Sequence, residues 1–539
     1  MHKRAKFLFS IVIVLGIFFR VINIDQKIFT GDECITQVRA AGYKGESYGV
    51  DAYKGASVAK LLPRDQLVTA KDISRFQNIQ AQPSPLDTLR VTATGAPQHP
   101  PLYWLLVRFW MQVFGNSVAA ARSLSVIFSI LTLPALYWMC WELFGSAVLS
   151  WIAVALVSVS PVHIFQAHNA RPYSLWILMI VISSATLLRA MKGPQNRPKN
   201  WIAYGIALSI SLYTYLFSLF ILIAHGIYVL CEEGFSNTQK LKNYLLTSGW
   251  VLLSFSPWIA VILFNFNTAN TMTAWTGTPV DSLTDLIWSY VKNLQEIFLF
   301  WNIHFDPLTP LTESSAVFFL GTALTLFISY AFYFLWRNST RTDSTRKEWV
   351  FVFALTGVTV LTLMAADFIL GGRRAALGRY LYPSMLGIQI TVAYLLGITF
   401  KRSTTWRVVV VTLLSCGILS SAASVQTQTW RGHPDFALQS AQLINQAERP
   451  LVISDNDIVF GLMPLNTQLS SDVNWILVSE FDSITIPNQF SDIFLYEAST
   501  ELQDYLKTKY EFEAVYKYPY PGSFIWPEPP PSILWQLKT

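Results

Sequence analysis

PLYWLLVRFWMQVFG, residues 101–115, decides how this chain is threaded. The run is apolar, but the stretch between Pro101 and Gly115 is shorter than the roughly 17–25 residues that cross a bilayer, and Arg108 stands in its middle. A crossing here would invert every segment downstream. Its length, and the set of Leu105, Phe109, Gln112 and Val113 against Arg108, predict instead a two-faced helix lying flat at the membrane surface over 102–114.

The rest of the chain supports a membrane reading. Of 539 residues, 52% are hydrophobic and only 13% charged, against roughly 25% charged in an ordinary soluble domain. Long apolar runs recur from Phe7 to Ser424. The net charge of +6 hides a split: 33 Lys/Arg against 19 Asp/Glu through Ser424, then 6 against 14 from Val425 onward. A basic membrane part therefore carries an acidic tail. The basic excess sits beside apolar runs, where it sets topology, and nucleic acid is not expected as a partner. Cys34, Cys140, Cys231 and Cys416 lie far apart, so no disulfide framework is expected. The basic start and the apolar run Phe7–Phe19 resemble a signal peptide, but no small-x-small cleavage site follows Arg20, which predicts an uncleaved first span.

Basic clusters fix the sides. Lys3/Arg4/Lys6, Arg189/Lys192/Arg197/Lys199, Lys240/Lys242, Arg337/Arg341/Arg346/Lys347 and Lys401/Arg402/Arg407 should share the inner face. Eleven spans satisfy this, at about 7–24, 120–142, 147–166, 172–190, 200–214, 215–231, 244–264, 314–336, 349–370, 380–400 and 406–424. The expected fold is thus a polytopic α-helical membrane domain over 1–424, with a large first outer loop at 25–101 and the surface helix 102–114. An extracytoplasmic α/β domain follows at 425–539. Strands are expected at Leu451–Ser454, Trp475–Glu480, Asp492–Tyr496 and Ile533–Leu537, with a helix near Ser499–Lys509 and a Pro-rich edge at Pro519–Pro531.

Chemistry-bearing residues gather on the outer side. Asp32 and Glu33 follow the first span, where a low-dielectric neighbour raises the proton affinity of a carboxylate and suits it to act as a general base. The alternative for this pair is a solvated turn or a helix cap at Asp32. His99 precedes Pro100-Pro101 and is a candidate ligand for substrate or phosphate, or a plain cap. Arg171, with Pro172 and Tyr173 after it, is a candidate anion ligand, or it snorkels to lipid headgroups. Arg373, Arg374 and Arg379, the last followed by Tyr380, sit in a short loop placed outside against the charge rule, at the depth of a lipid phosphate. Trp275, Trp288, Tyr290, His304 and Asp306, in the loop 265–313, could stack a sugar ring or form an interfacial girdle. No Walker loop, His/Cys metal spacing or nucleophile elbow is present.

Arg20, Gly31-Asp32-Glu33, His99-Pro100-Pro101-Leu102-Tyr103, Phe114-Gly115 through Arg122, Arg171-Pro172-Tyr173 and Gly378-Arg379-Tyr380-Leu381-Tyr382-Pro383 occur in an order that resembles the GT-C glycosyltransferases. The group is that of protein O-mannosyltransferases and lipid A aminoarabinose transferases, glycosyltransferase family 39-like. The resemblance implies transfer of a sugar, a hexose such as mannose or a pentose, from a polyprenyl phosphate to a lipid, glycan or protein acceptor, with inversion, on the outer face of a plasma or inner membrane. It maps the acceptor base to Asp32, with Glu33 beside it, and the donor phosphate to Arg171, Arg373, Arg374 and Arg379. No cofactor is required; some relatives use a divalent ion, and nothing in the sequence speaks against one. Tyr213-Thr214-Tyr215 stands where relatives often carry a His.

Two other functions remain on the sequence alone: a transporter or flippase of lipid-linked sugar, which should carry charge in mid-span rather than at span ends, and a polymerase or ligase of lipid-linked glycans. The topology is testable without substrate. Cysteines introduced at Ser339 and Ser491 should label from opposite sides of the membrane; labelling from one side refutes the eleven-span parity.

Overall fold

The computed structural model describes residues 3–43, 62–79, 84–193, 198–235, 238–278, 283–299, 311–339, 343–400, 402–429, 435–455, 459–518 and 533–538. His304, Asp306 and the Pro-rich stretch 519–531 lie outside the described residues.

The membrane part is a helical array. Its helices are α1 (Lys3–Val21), then the outer-loop helix α2 (Gly31–Ala41), α3 (Leu102–Phe114), α4 (Val118–Phe144), α5 (Ala147–Ser158) and α6 (Pro161–Ala167). They continue with α7 (Tyr173–Lys192), α8 (Pro198–Thr214), α9 (Ser218–Glu233), α10 (Gln239–Phe264), α11 (Leu311–Ser339), α12 (Asp343–Leu370), α13 (Tyr382–Thr399) and α14 (Thr404–Gln426). Among the described residues seven of these are long and apolar enough to cross a membrane, and an eighth crossing arises if α5 and α6, bent by 60°, count as one. The protein is therefore an integral membrane protein. Helices α1, α8 and α9 occupy the remaining places where spans are expected.

The α5–α6 break shows how the array is held. Pro161 opens α6, so the last turn of α5 loses its helical donors. Arg20 fills the gap: its guanidinium donates to the Val157 and Ser158 carbonyls, to Gly16 O and to Ser129 Oγ. Ser421 of α14 donates to Val159 O at 3.0 Å. In hydrocarbon such carbonyls must find partners within the protein. The two glycines facing the break, Gly16 and Gly417, let α1 and α14 approach closely enough: a Cβ would lie 2.3 Å from Ser158 O and 2.9 Å from Val159 O.

Helix α3 is two-faced along the division read from the sequence, with Arg108 on one side and Phe109 and Val113 on the other. Arg108 is buried and donates to Ala40 O and Ala41 O at 2.9 Å, closing the C-terminus of α2, while Phe109, Val113 and Phe114 are exposed. The charge serves the protein and the apolar stripe is left to face lipid.

The tail builds a six-stranded sheet whose strands are β1 (Leu67–Thr69), β2 (Pro450–Ser454), β3 (Asn474–Leu477), β4 (Asp492–Leu495), β5 (Glu511–Lys517) and β6 (Ile533–Lys538), in the order β1-β3-β2-β4-β6-β5. Strands β3 and β4 flank β2 in parallel. β1 comes from the first outer loop and pairs antiparallel with β3, Val68 opposite Trp475. Neither β1, only three residues long, nor the edge strand β5 was expected. One face of the sheet, with Val452, Trp475 and Phe494, packs into a core shared with Ile35, Val38 and Trp104; the other, with Leu451, Ile453 and Ile493, is covered by Leu502 and Leu506 of the helix Thr500–Lys507. All four cysteines are free.

Gly16→Ala should lower stability by about 1–3 kcal/mol, because the clash is with backbone that cannot rotate away. A thermal scan in detergent checks this; an unchanged midpoint would mean α1 does not press on the α5–α6 break.

Candidate functional site

Helix α2 carries the site. Thr30 caps it reciprocally: its hydroxyl accepts from Glu33 N at 3.3 Å, and Glu33 Oε2 accepts from Thr30 N at 3.1 Å. Asp32 and Glu33 thus occupy the first turn of a helix, where the dipole favours negative charge, rather than an open loop.

The two carboxylates have different surroundings. Glu33 is fully buried and takes a two-pronged grip from Arg122, Nε to Oε1 and Nη2 to Oε2, both at 2.8 Å. Ala170 N donates to Oε1 at 2.9 Å, and the Thr30 hydroxyl to Oε2 at 3.2 Å. Arg122 in turn donates to Ile24 O, Lys27 O and Ile28 O. With its lone pairs so occupied, Glu33 has no open side from which to accept a proton from a substrate. Glu33, placed beside the base in the sequence reading, stands here as an anchor for α2.

Asp32 is 35% exposed. Arg379 Nη1 lies 3.2 Å from its Oδ2 and Arg171 Nη2 3.9 Å from its Oδ1. Arg171 also donates to the Asp32 backbone carbonyl at 3.0 Å. Burial pushes the Asp32 carboxyl up, but Arg171, Arg379, His99 and Arg39 outweigh it and hold it below the ordinary carboxylate range. The raised proton affinity expected from the sequence is thereby reversed: a low-dielectric neighbour acts as anticipated, and the cations overcome it. Burial, followed by Arg39 and Arg171, pushes His99 well below the ordinary imidazole value, so it stands neutral at pH 7.

The three loop arginines separate. Arg374 is taken by Asp367, fully buried, whose Oδ1 accepts from Arg374 N at 2.8 Å and Nη1 at 3.2 Å, while Oδ2 accepts from Ala375 N. Arg373 donates from Nη2 to Thr278 Oγ1 at 3.0 Å and to Trp275 O, and from its backbone N to Thr276 O, tying the loop to residues 275–278. Arg373 and Arg374 thus brace the loop, their guanidiniums donating to protein oxygens. Arg379 alone of the three reaches Asp32, and its guanidinium stands 5.8 Å from the Trp275 ring centroid.

Aromatic side chains wall this corner. Tyr173 meets Tyr215 and Tyr382, each at 5.8 Å between ring centroids, and Tyr380 packs on Phe217 at 4.8 Å. Tyr215 packs on Trp176 with the rings tilted, 4.5 Å between centroids. Sequence reasoning missed Arg39, Trp104 and Asp367, while Trp275, read as a residue that could stack a sugar ring, stands here beside Arg379. Arg39 was legible in principle, since it lies seven residues after Asp32 and so on the same helical face once α2 is recognised. Among the described residues no group of three or more His, Cys, Asp or Glu gathers as metal ligands do.

Residues 98–261 match the model of a family described as dolichyl-phosphate-mannose-protein mannosyltransferase. No curated protein matches the sequence. Two structures of ArnT from Cupriavidus metallidurans share the fold: one bound to undecaprenyl phosphate, TM-score 0.52, and one in the apo state, TM-score 0.54. Each is 11% identical and covers 99% of this chain and 98% of its own. The resemblance to the GT-C glycosyltransferases read from the sequence holds.

Glu33→Gln should cost about 3–5 kcal/mol, the loss seen when a buried pair is broken on one side. Asp32→Asn, half open to solvent, should change stability by about 1 kcal/mol or less. Thermal midpoints of the two variants in detergent compare them directly; equal losses would refute the division of labour.

Proposed function

We propose that this chain, a polytopic helical membrane protein of GT-C resemblance, is an inverting glycosyltransferase that moves a hexose or pentose from a polyprenyl phosphate to an acceptor hydroxyl on the outer membrane face. The observation that carries this reading is the corner formed by Asp32, Arg171 and Arg379: one carboxylate open to solvent, gripped by two guanidiniums from separate segments. The family match and the ArnT fold, bound in one case to undecaprenyl phosphate, support the same class of donor.

In this mechanism Asp32, ionised at neutral pH, accepts the proton of the acceptor hydroxyl as that oxygen bonds to the anomeric carbon. The bond from this carbon to the phosphate oxygen breaks, and its electron pair leaves on the phosphate. Arg171 and Arg379 neutralise the phosphate, as preorganised cations do best where charge develops. A general base supplies roughly 10²–10⁴-fold; positioning and the cations supply the remainder. His99, neutral, is a hydrogen-bonding partner here rather than a cation. No metal or cofactor enters the scheme.

Eleven crossings with the C-terminal sheet outside belong to this reading. The packing of that sheet into one core with α2 supports it, because the site and the sheet then share a side. A transporter fares worse: Arg20 and Arg122, the buried cations of α1 and α4, are held by internal carbonyls, Ser129 and Glu33. The acceptor stands as a lipid, a glycan or a protein.

Transfer assayed in liposomes with a panel of polyprenyl-phosphate sugars tests the proposal. Asp32→Asn should lower kcat about 10²-fold or more with little change in donor KM. Arg379→Ala should cost about 2–5 kcal/mol in kcat/KM, and Arg379→Lys less, because it keeps the charge and loses the fork. Normal turnover in Asp32→Asn would sink the assignment.

A further inference from the structure

Arg39 has no role in the scheme above, yet it lies beside the site. It is seven residues after Asp32 on α2, two turns along the same face. It is 4% exposed, and its guanidinium stands 5.2 Å from the Trp104 ring centroid, with Arg171 at 5.5 Å from the same ring. A cation in the last turn of a helix is an ordinary dipole partner, but here Arg108 already closes that helix end. Trp104 is fully buried, and its Nε1–H has no hydrogen-bond partner. An unpartnered buried donor on a ring that two guanidiniums approach calls for an acceptor oxygen arriving from outside.

We propose that Arg39, with the indole N–H of Trp104, is a further phosphate ligand of this site, engaging the leaving polyprenyl phosphate as its second negative charge appears. This rests on the glycosyltransferase reading. The donor is a phosphodiester with one negative charge. When the bond from its sugar carbon to the phosphate oxygen breaks, the electron pair leaves with a phosphate monoester, whose second ionisation lies near pH 6. The acceptor oxygen forms the new bond to carbon and its proton passes to Asp32. Negative charge therefore moves from Asp32 to the phosphate. Arg171 and Arg379 are shared between the two, because they already hold Asp32. Arg39 is the added cation, matched to the product's charge more than to the donor's, and such a contact accelerates the step rather than tightening substrate binding.

Binding to the full-length protein in detergent tests this, with a short-chain prenyl phosphate and its methyl diester measured from pH 5 to pH 8, alongside donor kinetics in liposomes. The ionisable groups facing the corner are Asp32 and Arg39 on α2, His99 before α3 and Tyr103 on it, Arg171 and Tyr173 at the start of α7, Tyr215 after α8, and Arg379, Tyr380 and Tyr382. Asp32 is held below its ordinary value and His99 well below, and the diester, which has no second ionisation, reports any change of charge in the protein across that interval. A rise in affinity for the monoester alone therefore reports the ligand's own second ionisation. The wild type should bind the monoester about tenfold more tightly at pH 8 than at pH 5, and the diester alike at both. Arg39→Gln should remove most of that gain and lower kcat about tenfold, with diester affinity and donor KM within about twofold, and Arg39→Lys should restore part of it. Retained diester binding shows that the variant is folded. A full pH gain in Arg39→Gln, a flat wild-type profile, or equal loss of monoester and diester would overturn the proposal. Absence of transfer by the wild type from every donor would overturn the glycosyltransferase reading itself, whereas transfer with an unaltered Arg39→Gln would overturn only the role of Arg39.

Discussion

The ion pair between Glu33 and Arg122 is the contact on which the site depends. It joins α2 to the start of α4, and through the Ile24, Lys27 and Ile28 carbonyls it also fixes the stretch of chain between α1 and α2. Two successive residues of an α-helix point about 100° apart. Turning Glu33 into the protein therefore turns Asp32 out of it, toward Arg171 and Arg379. A pair of adjacent acids is thus resolved into one anchor and one reactive group by a single bidentate contact. Burying that pair carries a desolvation penalty, offset here by the two-pronged geometry and by backbone donors and acceptors that complete both groups.

Cations in this low-charge chain do two kinds of work. Arg20, Lys27 and Arg108 each lie on carbonyl oxygens at a helix C-terminus, those of α5, α14 and α2 respectively, where the dipole and the orphan acceptors both favour positive charge. They are fastenings. Arg171 and Arg379 converge instead on a carboxylate, and Arg39 stands with Arg171 over Trp104. Arg373 and Arg374 brace the loop that presents Arg379.

The C-terminal sheet belongs to the same logic. β1 crosses over from the first outer loop to pair with β3, and Ile35 and Val38 of α2 share a core with Val452 and Trp475. The helix that carries Asp32 is consequently clamped between the membrane array and the sheet. A site assembled from short turns between spans gains rigidity from such a clamp, which is what preorganised charge requires.

The helices, their order and the site's raw materials were legible in the sequence, because crossing a bilayer demands a local run of apolar residues and because Gly31-Asp32-Glu33, His99-Pro100-Pro101, Arg171-Pro172-Tyr173 and Gly378-Arg379-Tyr380 stand at the ends of such runs. The helix at 102–114 and its two faces were legible from its length and pattern, but the carbonyls that Arg108 meets were not. Which acid is free, which loop arginine meets it, and that Arg39 and Trp104 join them were decided only by the tertiary structure. The reason is physical: a charged side chain takes the partner that packing brings near, and here the partners are remote in sequence, Arg122 lying 89 residues from Glu33 and Arg379 lying 347 residues from Asp32. Hydrophobic runs are read one segment at a time, whereas the pairing of buried and half-buried charges depends on all the segments at once.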